Sequence, residues 1–77
     1  MSEPEVFLRV DKQPSLHEAQ EMVGGFVELV RLSDGDQMLV NEEGGILGLP
    51  HNKMASEIAN RNIVGNVLIL RGRAKWK

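Results

Sequence analysis

The chain has 77 residues, no cysteine, two histidines and a formal net charge of −2. That length holds one domain, and a domain so small buries only about 60% of the surface its unfolded chain exposes. Disulfides and thiolate metal sites are excluded and two isolated histidines argue against a structural metal, so self-association is the expected source of further burial, with an exceptionally well-packed monomer as the alternative.

A hydrophobic fraction of 42% beside 26% charged residues describes a globular chain. No apolar run approaches the roughly 20 residues that cross a bilayer. The acidic start, Met1-Ser2-Glu3-Pro4-Glu5, lacks the apolar stretch of a secretory signal, and a cytoplasmic location is expected. Charge is unevenly placed. Residues 1–70 carry five Lys/Arg against all eleven Asp/Glu, a net of −6, and residues 71–77 add four basic groups.

In chain order, residues 5–11 read as a strand, with Val6, Leu8 and Val10 on one face and Phe7, Arg9 and Asp11 on the other. Pro14 ends the ladder. Ser15 followed by Glu18 is a capping box, predicting a helix over 16–23 with Leu16, Ala19 and Val23 on one side. Gly24-Gly25 stops it. Residues 26–32 and 37–41 form two strands about the hairpin turn Ser33-Asp34-Gly35-Asp36. A second turn, Asn41 to Gly45, leads to a short third strand of this meander over 46–49. Asn52 caps a second helix over 53–59, with Met54, Ala55, Ile58 and Ala59 on one side. Residues 66–71 hold four consecutive apolar side chains, the mark of a strand covered on both faces and set inside the sheet. The expected fold is a single α+β domain of strand-helix-strand-strand-strand-helix-strand order. Its small, mostly antiparallel sheet keeps its first and last strands near each other and carries both helices on one face. Residues 5–71 form the ordered core, and the basic tail 72–77 leaves it.

Catalytic patterns are hard to find. Asp34, Asp36, Glu42 and Glu43 sit in turns without the spacing of a calcium loop, so solvated turn chemistry is the ordinary reading. His17 and His51 have no ligand partner at useful spacing. None of Ser2, Ser15, Ser33 and Ser56 lies in a Gly-x-Ser-x-Gly elbow. Gly44-Gly45 with Gly48 lacks both the dinucleotide fingerprint and the lysine of a phosphate loop. No catalytic residue, metal or cofactor is therefore expected, and the chain reads as a non-enzyme. The tail Arg71, Arg73, Lys75, Trp76 and Lys77 joins basic groups to the only tryptophan. Such a set can grip phosphates and stack a base, but an acidic body opposes nucleic acid, and a solvated terminus is the plainer reading.

Four blocks share a wider pattern: Val23-Gly24-Gly25-Phe26-Val27-Glu28-Leu29-Val30-Arg31-Leu32; Val40-Asn41-Glu42-Glu43-Gly44; Leu47-Gly48-Leu49-Pro50 with Asn52 and Ala55; and Ile63-Val64-Gly65-Asn66-Val67. In these the chain, over about residues 5–70, resembles a domain family of unknown function carried by bacteriophages, plasmids and some bacteria. The resemblance implies a mobile-element context in a bacterial cytoplasm and brings no activity or catalytic residue. The basic tail lies outside it. Asn41, Glu42, Glu43 and Asn52 admit two readings: they brace turns by local hydrogen bonds, or they line a cleft with the start of the second helix.

The leading functional expectation is a homo-oligomeric binding module that counters a host antiviral process by sequestering a small anionic, nucleotide-like signal. Its ligand-binding set is Arg31, Asn41, Glu42, Glu43, Asn52, Lys53 and Arg61, at a subunit interface. The alternatives are an inhibitor that binds a host protein through the acidic body, and a nucleic-acid accessory that uses the tail. No membrane association is expected.

Overall fold

The computed structural model describes residues 3–76. In chain order the elements are β1 (Val6–Arg9), α1 (Leu16–Val23), β2 (Val27–Arg31), β3 (Gln37–Asn41), α2 (Gly44–Leu47), α3 (Lys53–Ala59) and β4 (Val67–Leu70), closed by a 3-10 turn at Gly72–Ala74. The two longer helices begin where their caps predict. Ser15 Oγ accepts from Glu18 N at 3.1 Å while Glu18 Oε1 accepts from Ser15 N at 3.1 Å, a reciprocal capping box. Asn52 Oδ1 accepts from Ala55 N at 3.1 Å at the start of α3. Gly24, at φ +84°, closes α1 by donating to Gln20 O at 2.9 Å.

The four strands take the order β1-β4-β3-β2. β3 is antiparallel to β2 and β4, but β4 runs parallel to β1. The sheet is thus mixed, with the antiparallel pairs in the majority and the first and last strands adjacent. Val67, Leu68, Ile69 and Leu70 of β4 are all buried, as their unbroken apolar run requires for an inner strand.

Burial on both sides also settles the helices. Alternate residues of β3 and β4 feed two cores: Met38, Val40, Val67 and Ile69 pack with Ala55 of α3, whereas Leu39, Leu68 and Leu70 pack with Ala19 of α1. The helices therefore sit on opposite faces, not on one as expected from sequence. A single covered face would leave half of the β4 side chains in water.

Two further expectations are corrected. Residues 46–49 form no third strand, because Asn41 Oδ1 accepts from Glu43 N at 2.8 Å and turns the chain out of the sheet at once. The chain then winds into α2, with Leu47 N donating to Glu43 O at 2.9 Å, and Gly48 ends it at φ +69°. Nor does the tail leave the domain. Ala74 is fully buried with the α1 core, and Trp76 packs against the same cluster. Trp76 Nε1 donates to Pro14 O at 3.1 Å, Trp76 N donates to Gln37 Oε1 at 2.7 Å, and Gln37 Nε2 donates to Trp76 O at 2.6 Å. Arg71 Nε donates to Asp36 Oδ2 at 2.8 Å, a bond that raises the guanidinium pKa further. Lys77 lies outside the described residues. The tail completes the face that α1 covers in part.

Trp76→Ala is expected to lower the unfolding free energy by about 2 kcal/mol, roughly half the cost of truncating a fully buried tryptophan, measured by urea denaturation. Acid acts on α1 through Glu18, whose carboxyl is held below its usual value of 4.5, first by the Ser15 backbone bond and then by Arg9. A depressed folded pKa contributes stability that is complete above the unfolded value and is lost as pH falls through the folded one. The stability of Glu18→Gln should therefore fall less than that of the parent between pH 5 and pH 3, as followed by helical circular dichroism.

Candidate functional site

Two of the polar residues singled out by sequence, Asn41 and Asn52, are buried at the end of the sheet where β3 finishes and β1 and β4 begin. Asn41 Nδ2 donates to Val23 O at 3.1 Å, satisfying a carbonyl that the end of α1 leaves open, while its Oδ1 makes the turn to Glu43. Gly25 lets it approach: a Cβ on that residue would lie 3.1 Å from Asn41 Nδ2. Asn52, 2% exposed, does the corresponding work on the opposite face. Its Nδ2 donates to Gly65 O at 2.8 Å and Glu5 O at 3.3 Å, and its backbone N–H donates to Ile63 O at 2.9 Å. Between them Gly44 packs so tightly that a Cβ would stand 2.7 Å from Val64 Cγ2. Asn41 and Asn52 thus brace the turns and element starts around them through these hydrogen bonds.

The remaining members of the predicted set are dispersed. Glu42 and Glu43 are exposed beside Asn41, with no side-chain partner among the described residues. Lys53 is exposed at the start of α3 on the other face. Arg61 lies beyond the left-handed Asn60 that closes α3. Arg31 pairs in register with Gln37, at the opposite end of the hairpin from Asn41 and its partner Val27. Within one chain these cations do not converge.

Of the tail set, Arg71 is engaged with Asp36 and Trp76 with Pro14 and Gln37, which leaves Arg73 exposed and Lys75 half-buried. A groove between the start of β1 and α3 is lined by Glu3, Glu5, Glu57, His51, Lys53 and Met54, an acidic set overall.

One pairing escaped the sequence reading. Ser56 Oγ lies 3.1 Å from His51 Nε2. The same hydroxyl accepts from Ile63 N at 2.8 Å and lies 3.1 Å from Ile63 O, so it fastens the loop after α3. Its hydrogen-bonding capacity is spent on structure, and among the described residues no carboxylate bonds to the imidazole, as a nucleophile–base pair would need. Among the described residues no group of three His, Asp or Glu stands close enough to hold a metal ion.

Sequence reasoning also missed an apolar surface at this end. Phe26 and Leu47, 62% and 57% exposed, line a shallow groove with Gln20, Gly24, Gly25 and Glu43. Ile46, next to Leu47 on α2, is 87% exposed. Reading 46–49 as a strand concealed this surface, because α2 is what presents both side chains outward.

Residues 1–76 match the family model described as a domain of unknown function (DUF3846), and the chain belongs to that family. No curated protein and no solved structure matches it.

The two kinds of polar residue should separate by stability. Asn52→Ala leaves the carbonyls of Glu5 and Gly65 and the N–H of Ala55 without a side-chain partner, and is expected to cost about 2–4 kcal/mol. Glu42→Ala and Glu43→Ala should each change stability by less than about 0.5 kcal/mol. Chemical denaturation of the three variants checks the contrast.

Proposed function

We propose that this family member is a non-catalytic binding module whose target is another protein, held through the apolar end formed by Phe26, Ile46 and Leu47. The observation that carries this reading is Ile46, 87% exposed on a short helix. That helix is fixed by the Asn41 turn, the buried Gly44 and the left-handed Gly48. A branched apolar side chain on a braced turn loses little freedom when covered, and two more apolar residues extend its surface. These are the features of a binding anchor, beyond what scattered exposed apolar residues offer.

Glu42 and Glu43 lie at the margin of this surface, and residues 1–70 carry a net charge of −6. The complementary partner offers an apolar pocket with a basic rim. The resemblance to phage- and plasmid-borne domains favours a host protein as that partner. Nucleotide sequestration is supported less well, because Arg31, Lys53 and Arg61 are spread over the molecule while carboxylates crowd the grooves. The nucleic-acid reading is weakened by the internal engagements of Arg71 and Trp76.

Immobilised protein is expected to retain a host protein that Ile46→Asp releases, with Glu42→Lys and Glu43→Lys slowing its association. Equal retention by the parent and by Ile46→Asp, with the fold intact, overturns this surface. Calorimetric binding of a cyclic or linear nucleotide, unmoved by Ile46→Asp, replaces it with the sequestering reading.

A further inference from the structure

Among the described residues β1 is an outer strand, hydrogen-bonded on one side to β4 and open on the other. Val67 N donates to Glu5 O at 3.0 Å and Arg71 N to Arg9 O at 3.0 Å. In a parallel ladder this turns the backbone groups of Glu5, Phe7 and Arg9 inward, and those of Val6 and Leu8 to the open edge. The side chains of Val6, Leu8 and Val10 share the face covered by α3. Val6 packs on the core there, but Leu8 is 55% and Val10 43% exposed. Beside them, Met54 and Ile58 are one turn apart on α3 and 60% and 43% exposed. Met54 shares a groove with Val6, so this ridge flanks the strand. An open edge running beside an apolar strip is a surface suited to strand pairing.

We infer that this edge pairs with β1 of a second copy of the chain, antiparallel and centred on Phe7. The residues Glu5-Val6-Phe7-Leu8-Arg9 are complementary to their own reverse. Centred on Phe7, the two copies set Glu5 against Arg9 twice, Val6 against Leu8 twice, and Phe7 against Phe7. Val6 and Leu8 form the hydrogen-bonded pairs, as their outward backbone groups require. Phe7 and the charge pairs occupy the closer, non-hydrogen-bonded positions, where side chains interact most.

Other registers lose this. Re-centring on Leu8 opposes Glu5 to Asp11 and Phe7 to Arg9, and re-centring on Val6 opposes Glu5 to Phe7. Pairings about a point between two residues set inward groups against outward ones. β2, the other outer strand, has no such symmetry: centred on Leu29 it opposes Arg31 to Val27, and centred on Glu28 it opposes that carboxylate to itself.

Arg9 can serve the pair, since its contact with Glu18 is loose, at 3.6 Å, and its side chain is 31% exposed. A two-fold axis along the sheet normal keeps faces matched. Leu8 of each copy then meets Val6 of the other, with the Met54–Ile58 ridges on the same side. Phe7, half-buried in one chain, is covered by its counterpart.

Sedimentation equilibrium of the intact chain from micromolar to millimolar concentration tests the pairing. A monomer–dimer equilibrium is expected. Glu5→Arg should weaken it roughly tenfold by opposing like charges at both ends, and Glu5→Arg with Arg9→Glu should restore it. Leu8→Lys, at an exposed position, should give a monomer with an unchanged circular dichroism spectrum. A monomer at every concentration, or a dimer unmoved by both Glu5→Arg and Leu8→Lys, overturns the inference. Either outcome leaves the Ile46 surface untouched, since that surface lies off this edge.

Discussion

A short sheet has to satisfy, at its ends, the backbone groups that neither strands nor helices can pair. In this chain two buried asparagines carry most of that burden at one end. Asn41 ties the last turn of α1 to the turn after β3, and Asn52 ties the start of β1, the start of α3 and the approach to β4. An unpaired buried carbonyl or amide costs about 1–3 kcal/mol, comparable to a fifth of the stability of a small domain. Both asparagines are therefore fixed by the fold. Gly44 and Gly65 are fixed with them, since a Cβ on either would press within 2.8 Å of Val64 or Leu49.

That constraint divides the polar pattern into two parts. Buried asparagines and packed glycines hold the end of the sheet rigid, while Glu42, Glu43, Phe26, Ile46 and Leu47 stand outside it in water. Rigidity on the inside is what makes the outside usable. A side chain on a braced turn meets a partner with little ordering cost, whereas the same side chain on a free loop would lose much of its binding energy. In the proposed binding role, the acidic margin would add direction to an encounter through long-range attraction of basic surfaces.

Much of the fold was legible because local signals agreed with packing. The capping box placed α1 at its observed bounds, Asn52 did so for α3, and the Asp34-Gly35 turn set the β2–β3 hairpin. The run Val67–Leu70 marks the inner strand and also bears on the helices. A strand buried on both faces needs a cover on each, which already separates the helices. The expected strand at 46–49 failed because glycines beside alternating apolar residues suit an exposed helical turn as well as an edge strand, and only the Asn41 side-chain bond decides between them. The tail was misread from its charge. Ala74 and Trp76 are spaced to reach back over the α1 face, but nothing local shows that Pro14 and Gln37 await them. Of the candidate site only the turn residues Asn41, Glu42 and Glu43 were legible, while the outward Phe26, Ile46 and Leu47 were not, since side-chain direction is a property of the assembled end.

The central claim is that Asn41 and Asn52 are internal braces and do not line a cleft. Side-chain amide exchange, read by NMR on the intact protein, tests it most directly. The Nδ2 groups of Asn41 and Asn52 each donate to a backbone carbonyl inside the molecule, while Asn60 and Asn62 are exposed. Slow exchange is expected for the first two and solvent-limited exchange for the others. Exchange at the same fast rate for all four would mean that Asn41 and Asn52 face water, and would return them to a binding cleft.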